Sequence, residues 1–255
     1  MNRSALRRFL ESEADKPFSG WDFSYLDNRM ASAPLDWSYP SIILSALRSD
    51  TAPRSLLDMG TGGGEFFSSL HPFPTFTCAT EAYPPNVAIA RQRLEPLGAQ
   101  VIAIDEDDPR LPFADRQFEL AINRHEYYPP GEVPRILDHG GSFITQQVGD
   151  QNDRELLEML GSARPPNDIP WNLDVAVASL ESTGLKVRRA QECLAATRVF
   201  DAGAIVYYFK ALPWDIPDFS VELYFDALAR IHDKIQAQGY IEATLHRFLI
   251  VASKD

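Results

Sequence analysis

The sequence predicts an α/β protein with one mostly parallel β-sheet and helices on both faces. Short apolar segments alternate with helical patterns along much of the chain, which is typical of βαβ units. One of these segments, residues 55–59, runs into a turn with four glycines in five residues. The 255 residues, 45% of them hydrophobic, are enough for one sizeable core, so we expect a single domain.

The chain begins with a helical pattern before the first strand of this sheet. Apolar residues recur at helical spacing from about 4 to 14, and Ser4 is the expected N-cap. A loop rich in aromatic residues follows, and a second helix is predicted over about 40–48 with Pro40 in its first turn.

Five strands then alternate with helices. The predicted strands cover residues 55–59, 76–81, 99–105, 118–124 and 142–148. The connecting helices are predicted over 64–70 and 84–98, and a third helix ends at Gly140. Segments this short and this apolar are expected to be buried on both faces of a parallel sheet.

The second half of the chain repeats the alternation less regularly. Helices are predicted over 153–161, 173–184, 201–212 and 220–238, and strands over 185–195 and 247–254. The segment 201–212 is ambiguous, because its Tyr and Val residues favour a strand, but Asp201 as an N-cap favours a helix. The helical alternative places a helical insertion before the last strand.

Charge and cysteine usage narrow the class of protein. The formal net charge of −12 disfavours unaided binding to nucleic acid, and no cluster of Lys and Arg offsets it. Cys78 and Cys193 lie in apolar contexts without a CxxC motif, which favours buried, reduced thiols in a cytoplasmic protein. The sequence has no signal-peptide pattern and no run long enough to span a membrane. No two histidines are spaced i,i+4, so we expect no metal site.

The glycine-rich turn after the first strand of the sheet predicts a ligand site, because backbone N–H groups there can approach a ligand closely. The dinucleotide template G-x-G-x-x-G/A fails at its third glycine, since Glu65 or Phe67 occupies that position. A phosphate loop would need a Lys followed by Ser or Thr, which the turn lacks.

The pattern Asp58-x-Gly60-x-Gly62-x-Gly64 resembles the first motif of the class I S-adenosylmethionine-dependent methyltransferases. The resemblance covers residues 55–150 well and the remainder loosely. It implies a Rossmann-like sheet of seven strands whose last strand lies antiparallel beside the fifth. It also implies that the turn, including Thr61, passes under the methionine part of S-adenosyl-L-methionine, with Asp58 near the cationic end of the cofactor.

Further residues match this family. Glu81 ends the second strand, where a carboxylate accepts two hydrogen bonds from vicinal ribose hydroxyls, and Ala82 follows it. An acidic residue before L-P-F contacts the adenine amino group in the family; Asp107 is the best match, with Asp105, Glu106 and Asp108 as alternatives. Asn123 at the end of the fourth strand completes the expected cofactor set. The resemblance implies a lid segment at 1–50 and a methyltransferase domain at 51–255.

The acceptor side of such a site is expected at the carboxyl end of the fourth strand. His125 is the candidate general base or acceptor ligand, because its unperturbed pKa lies near neutrality. Glu126 could orient His125 or act itself, and Arg124 could hold an acidic substrate or the cofactor carboxylate. A structural role for Arg124 and Glu126 remains the alternative.

Neighbouring polar and aromatic residues are further candidates for the acceptor site. Gln146 and Gln147 could bind an acceptor, but alternation sends them to opposite faces, so we expect at most one in the site. Trp21, Trp37 and Tyr39 either form a lid over the cofactor or pack as core residues. For the segment around Trp214 core packing is the favoured interpretation, with a pocket-lining role as the alternative.

The resemblance implies in-line methyl transfer to an O or N atom of a small-molecule acceptor. The alternatives are a ribosomal RNA methyltransferase, a cofactor-binding protein without catalysis and a nicotinamide-dependent oxidoreductase. The RNA enzymes with a similar core begin with a cysteine-rich zinc module that this chain lacks. The glycine spacing fits a nicotinamide cofactor poorly. The sequence leaves the acceptor and the oligomeric state open.

Overall fold

The computed structural model describes residues 1–105, 107–162 and 170–255 and contains one mixed sheet of eight strands. The strands are β1 (Met30–Ser32), β2 (Ser55–Met59), β3 (Phe76–Glu81), β4 (Gln100–Ala103), β5 (Phe118–Arg124), β6 (Leu137–Val148), β7 (Lys186–Val199) and β8 (Ile241–Ser253). Their order in the sheet is β1-β7-β8-β6-β5-β2-β3-β4. The pairs from β4 to β6 are parallel, and β8 lies antiparallel between β6 and β7.

This order confirms the predicted fold class, including the antiparallel last strand beside the fifth strand of the methyltransferase-like core. The structure has one strand more than the seven expected: the additional strand is β1, which pairs with the end of β7. Its three residues are too few to show an alternating pattern, so the sequence could not predict it.

Nine α-helices are present in the described ranges. They are α1 (Arg3–Ala14), α2 (Tyr39–Leu47), α3 (Glu65–Ser68), α4 (Pro84–Leu94), α5 (Glu132–Ile136), α6 (Arg154–Leu160), α7 (Leu173–Ser182), α8 (Ala202–Ala211) and α9 (Val221–Gln238). The ambiguous segment is helical, as favoured, because the Asp201 side chain caps α8 by accepting the Ala204 N–H. None of these helices has the length and hydrophobicity needed to cross a bilayer.

Several predicted boundaries are wrong. The N-cap of α1 is Asn2, whose side chain accepts the Ala5 N–H, so Ser4 lies inside the helix. Helix α4 ends at Leu94 and continues as a 3₁₀ turn, since Pro96 has no N–H for the α-helical ladder. Helix α5 ends at Ile136, and the strand β6 already begins at Leu137, which pairs with Phe118 of β5.

The other differences concern strand length and one thiol. β4 is shorter than predicted, whereas β7 and β8 are longer because they pair with each other along almost their whole length. Both cysteines are free; Cys78 is buried as expected, but Cys193 is only half-buried.

Two apolar cores cover the faces of the sheet, and a third core joins the N-terminal segment to the inserted helices. In this third core, α1 packs against α8 and α9. Arg29 reinforces the junction, because its guanidinium binds Glu13 at 2.7 Å and Asp201 at 2.6 Å. These contacts fix the loop after α1 above the carboxyl ends of β2 and β5.

Candidate functional site

A cavity of about 1400 Å³ lies at the carboxyl ends of the central strands, under the N-terminal loop and the segment between α8 and α9. Among the predicted cofactor residues, it is lined by Asp58, Gly60, Thr61, Gly62 and Glu81. The three predicted acceptor-side residues Arg124, His125 and Glu126 also line it. Because β3, β2 and β5 are adjacent and parallel, their carboxyl ends bring these groups to one edge of the sheet.

The glycine turn is shaped by two different requirements. Gly60 has φ +75°, and a Cβ there would lie 2.1 Å from Cγ of Glu126, so the turn excludes a side chain next to the cavity. Gly64 has φ +79° and caps α3, but a Cβ there would meet Leu94 of α4 at 2.8 Å. Gly64 therefore allows close packing of α3 against α4 and does not line the cavity.

Asp58 is a buried carboxyl at the end of β2, with 3% of its surface exposed. Burial raises the pKa of Asp58 to about 7, and the Thr61 hydroxyl and the charge of Arg124 offset part of that rise. A buried carboxyl at such a pKa gains its charge most readily when a cation binds beside it. Asp58 is therefore suited to a cationic ligand group.

Glu81 is the second buried carboxyl of the cavity. Its Oε1 accepts a hydrogen bond of 2.9 Å from the Tyr83 N–H. Burial raises the pKa of Glu81, and hydrogen bonds from backbone N–H groups, including that of Gly62, oppose the rise. The backbone N–H of Gly60 is itself held by the Thr80 hydroxyl at 3.2 Å, which fixes the turn between the two carboxyls.

The end of β5 carries the acceptor-side residues. The Arg124 guanidinium lies over the Phe66 ring, 4.8 Å from its centroid, and burial lowers the pKa of Arg124. Glu126 lies with its stem against Gly60, and its Oε1 accepts the Tyr127 N–H at 2.8 Å.

His125 is half-buried, and its backbone has φ +61°, an uncommon conformation for a residue with a side chain. Its backbone N–H donates to the Gln146 carbonyl at 2.8 Å, and its Nε2 lies 2.9 Å from Nε2 of Gln146. Burial, with the nearby charges of Arg247 and Arg124, lowers the pKa of His125 well below 6.5. The imidazole is neutral at physiological pH.

Four predicted cofactor residues do not line the cavity: Gly64, Ala82, Asp107 and Asn123. Asn123 is fully buried, where it donates to the Met59 carbonyl at 2.9 Å and accepts from the Thr145 hydroxyl at 2.9 Å. It therefore joins β5 to the neighbouring strands.

The predicted adenine contact is also away from the cavity. Asp107 is exposed, and its backbone N–H donates to the Asp105 carboxylate at 3.0 Å. Asp105 and Asp108 are exposed too, and Glu106 lies outside the described residues. Ala82 sits between two residues that line the cavity, Glu81 and Tyr83.

The two glutamines of β6 lie behind the cavity. Gln146 accepts from the Trp37 indole N–H at 2.8 Å, and Gln147 donates to the carbonyl of Glu126 at 3.1 Å. Neither lines the cavity.

The aromatic candidates divide between the cavity and the core. Trp21 lines the cavity and stacks on Trp214, with ring centroids 5.9 Å apart and planes 12° from parallel. Trp214 is 56% exposed, so core packing, the interpretation favoured for the segment 207–219, is wrong for Trp214 itself. It is confirmed for Tyr207, Phe209 and Ile216 of the same segment, which are buried. Trp37 and Tyr39 are buried, and the Tyr39 hydroxyl donates to the Asn123 carbonyl at 2.8 Å.

Sequence reasoning missed several polar residues of the cavity. These are Tyr83, Asn86, Asp150, Asn152, Tyr208, Lys210, Asp215 and Arg247. Asp150 and Asn152 could have been predicted, because they follow shortly after the end of β6, where ligand-binding residues are expected. Arg247 gives no such signal, because it lies within a long strand and reaches the cavity only through the pairing of β8 with β6. Within the described ranges, no three His, Cys, Asp or Glu side chains are grouped to hold a metal ion.

Comparison with known proteins agrees with this geometry. No family model matches the chain. A demethylmenaquinone methyltransferase from Thermus thermophilus is 32% identical over 129 residues, which is 46% of this chain and 57% of that protein. The match thus spans little more than half of the relative's length.

Solved structures share the fold over most of the chain at low identity. A candidate methyltransferase from Bacillus halodurans superposes with a TM-score of 0.60 at 18% identity, over 84% of this chain and 98% of that one. An S-adenosylmethionine-dependent methyltransferase from Geobacter sulfurreducens, solved in complex with S-adenosyl-L-homocysteine, superposes with a TM-score of 0.50 at 16% identity. The superposition covers 85% of this chain and 90% of that one. This chain therefore has the Rossmann-like fold of the S-adenosylmethionine-dependent methyltransferases, and 129 of its aligned residues are similar to a methyltransferase in sequence.

Proposed function

We propose that this protein transfers a methyl group from S-adenosyl-L-methionine to an O or N atom of a small-molecule acceptor. The observation that carries the proposal is the convergence of Asp58, the Gly60 turn and Glu81 with residues 124–126 on one cavity. The methyltransferase relative supports the cofactor class.

The cavity fits a cofactor together with a second molecule. Ligand pockets usually measure about 300–1000 Å³, so a cavity of about 1400 Å³ has room for both. Glu81 suits the ribose hydroxyls, and Asp58 suits the ammonium group of the methionine part. Gly60 lets the side chain of Glu126 pack against the turn that lies between these two carboxyls.

When bound, S-adenosyl-L-methionine would supply a methyl group on a sulfonium: an acceptor lone pair would attack the methyl carbon in line as the carbon–sulfur bond breaks, and the sulfur would leave as the thioether of S-adenosyl-L-homocysteine. The protein's residues then have to position the acceptor and exclude water. Glu81 at the end of β3 would hold the ribose, and residues 124–126, at and just after the end of β5, would hold the acceptor on the other side of β2.

The cavity has an aromatic wall, and we assign it to the acceptor, which favours a flat ring system. The wall consists of Trp214, Trp21, Phe23 and Tyr208, and each of these rings contacts the next at centroid distances of 5.3–6.0 Å. We place the lid in the N-terminal loop, where Trp21 lies directly over Gly62.

The free thiols of both cysteines support a cytoplasmic location.

Calorimetric titration with S-adenosyl-L-homocysteine tests the cofactor assignment. We expect micromolar binding to the wild-type protein and a loss of at least about tenfold, or about 1.4 kcal/mol, in Asp58→Asn and Glu81→Gln. Asp150→Asn, another carboxylate of the same cavity, is the matched control and should bind within about twofold of wild type. If the folded wild-type protein bound NADH but not S-adenosyl-L-homocysteine, the proposal would be wrong and the oxidoreductase alternative would take its place.

A further inference from the structure

The imidazole of His125 is held by a chain of directed hydrogen bonds that begins in the N-terminal segment. The Trp37 indole N–H donates to Oε1 of Gln146 at 2.8 Å, and Nε2 of Gln146 lies 2.9 Å from Nε2 of His125. Trp37 and Gln146 are both buried. The three residues come from the loop before α2, from β6 and from the end of β5.

The chemistry of these groups fixes the direction of each bond. An indole N–H is only a donor, so it sets the Gln146 amide with its oxygen toward Trp37 and its NH₂ toward His125. An amide NH₂ is also only a donor, so Nε2 of His125 must accept with its lone pair. The proton of the neutral ring is therefore on Nδ1, for which the described residues offer no hydrogen-bond partner.

The backbone supports the same arrangement. The His125 N–H donates to the Gln146 carbonyl at 2.8 Å, so Gln146 holds both the main chain and the ring of His125. His125 adopts φ +61°, and such conformations persist in residues with side chains only where the surroundings impose them.

We infer that His125 is a hydrogen-bond donor to the methyl acceptor through Nδ1–H and that Trp37 and Gln146 are the positioning residues that hold it in this tautomer. With Nε2 occupied and Nδ1 protonated, the ring has no free lone pair, so it cannot receive the acceptor's proton as a general base. The acceptor atom beside His125 must then carry a lone pair, as a carbonyl or deprotonated hydroxyl oxygen does. The part of this inference that concerns catalysis rests on the proposed function, whereas the tautomer does not.

Long-range ¹H–¹⁵N correlation NMR on histidine-labelled protein tests the tautomer directly, with His125→Gln to assign the signal. In the wild type we expect the Nδ1–H tautomer near neutral pH. Gln146→Glu offers a carboxylate to the ring, so we expect a switch to Nε2–H and a rise in the pKa of His125 by about 1–3 pH units. The charges of Arg124 and Arg247, which also act on His125, are unchanged in this variant.

Trp37→Phe is the second variant, in case the buried carboxylate prevents folding. It removes only the indole donor, which leaves the Gln146 amide free to rotate, so we expect the Nδ1–H signal to be lost or mixed. Tyr39→Phe is its matched control: it also removes one buried donor from the same segment, but that hydroxyl binds the Asn123 carbonyl, so the His125 signals should not change.

The inference is overturned by an Nε2–H tautomer in the wild type, or by unchanged His125 signals in both Gln146→Glu and Trp37→Phe. Titration of the same wild-type sample with S-adenosyl-L-homocysteine separates the two proposals. An Nδ1–H tautomer without cofactor binding contradicts the proposed function and, with it, the donor role toward the methyl acceptor, but confirms the tautomer. Binding with an Nε2–H tautomer contradicts only this inference.

Discussion

Asp58 should release a proton when the cofactor binds. In the free protein burial raises the pKa of Asp58 to about 7, so roughly nine-tenths of the molecules carry a protonated Asp58 near pH 6 and about a quarter near pH 7.5. The ammonium group of S-adenosyl-L-homocysteine favours the carboxylate, so binding should expel that proton. The expected release is about 0.9 proton near pH 6 and about 0.25 near pH 7.5.

The same linkage predicts how affinity changes with pH. Binding should weaken roughly eightfold from about pH 7.5 to about pH 6, which corresponds to about 1.3 kcal/mol. Burial lowers the pKa of His125, which moves its titration toward more acidic pH than this range. Calorimetry in two buffers of different ionisation enthalpy at each pH measures the protons released. Asp58→Asn should abolish the release, whereas Asp150→Asn should retain it. A proton release in Asp58→Asn equal to that of the wild type would refute the assignment of this carboxyl to the cationic end of the ligand.

The remaining predictions concern stability. Because Asp58 has a raised pKa, the folded state keeps a proton that the unfolded chain loses above about pH 4, so this carboxyl costs stability as the pH rises to about 7. Asp58→Asn should therefore stabilise the free protein near pH 7.5 by up to about 4 kcal/mol, measured by urea unfolding. No gain in stability would contradict the raised pKa of the buried carboxyl. Gly60→Ala should lower stability by about 1–3 kcal/mol and abolish calorimetric binding of S-adenosyl-L-homocysteine, because the new Cβ meets Glu126. Gly98→Ala is the control for backbone strain: Gly98 has φ +90° and open space around it, so this variant should keep binding. Arg29→Met should lower the free energy of unfolding by about 3 kcal/mol, because it removes the cationic partner of Glu13 and Asp201. Arg54→Met, at an exposed ion pair with Glu119, should lower it by less than about 1 kcal/mol. Equal losses of stability in urea unfolding would contradict the role of Arg29 in joining α1 to α8.

The sequence by itself determined seven of the eight strands, the parallel arrangement of five of them and the edge of the sheet at which the cavity lies. Asp58, Gly60 and Glu81 could be placed at the cavity because local features mark them: a strand end, a glycine-rich turn and a carboxylate at the next strand end. Parallel strands bring their carboxyl ends to one edge, so residues 124–126 could be added to the same site without knowledge of their contacts.

Only the tertiary structure decided which polar and aromatic groups remain available to a ligand. Asn123 and Gln146 carry side chains suited to binding, yet both are occupied by partners on other strands or in the N-terminal segment. Trp37 and Trp214 look alike as sequence, but one is buried beside β6 and the other forms a wall of the cavity. The tautomer of His125 depends on a residue 88 positions earlier in the chain, and no local pattern encodes such a contact. Hydrogen bonding and burial between distant segments are properties of the packed chain, which is why the chemistry of the cavity required the structure.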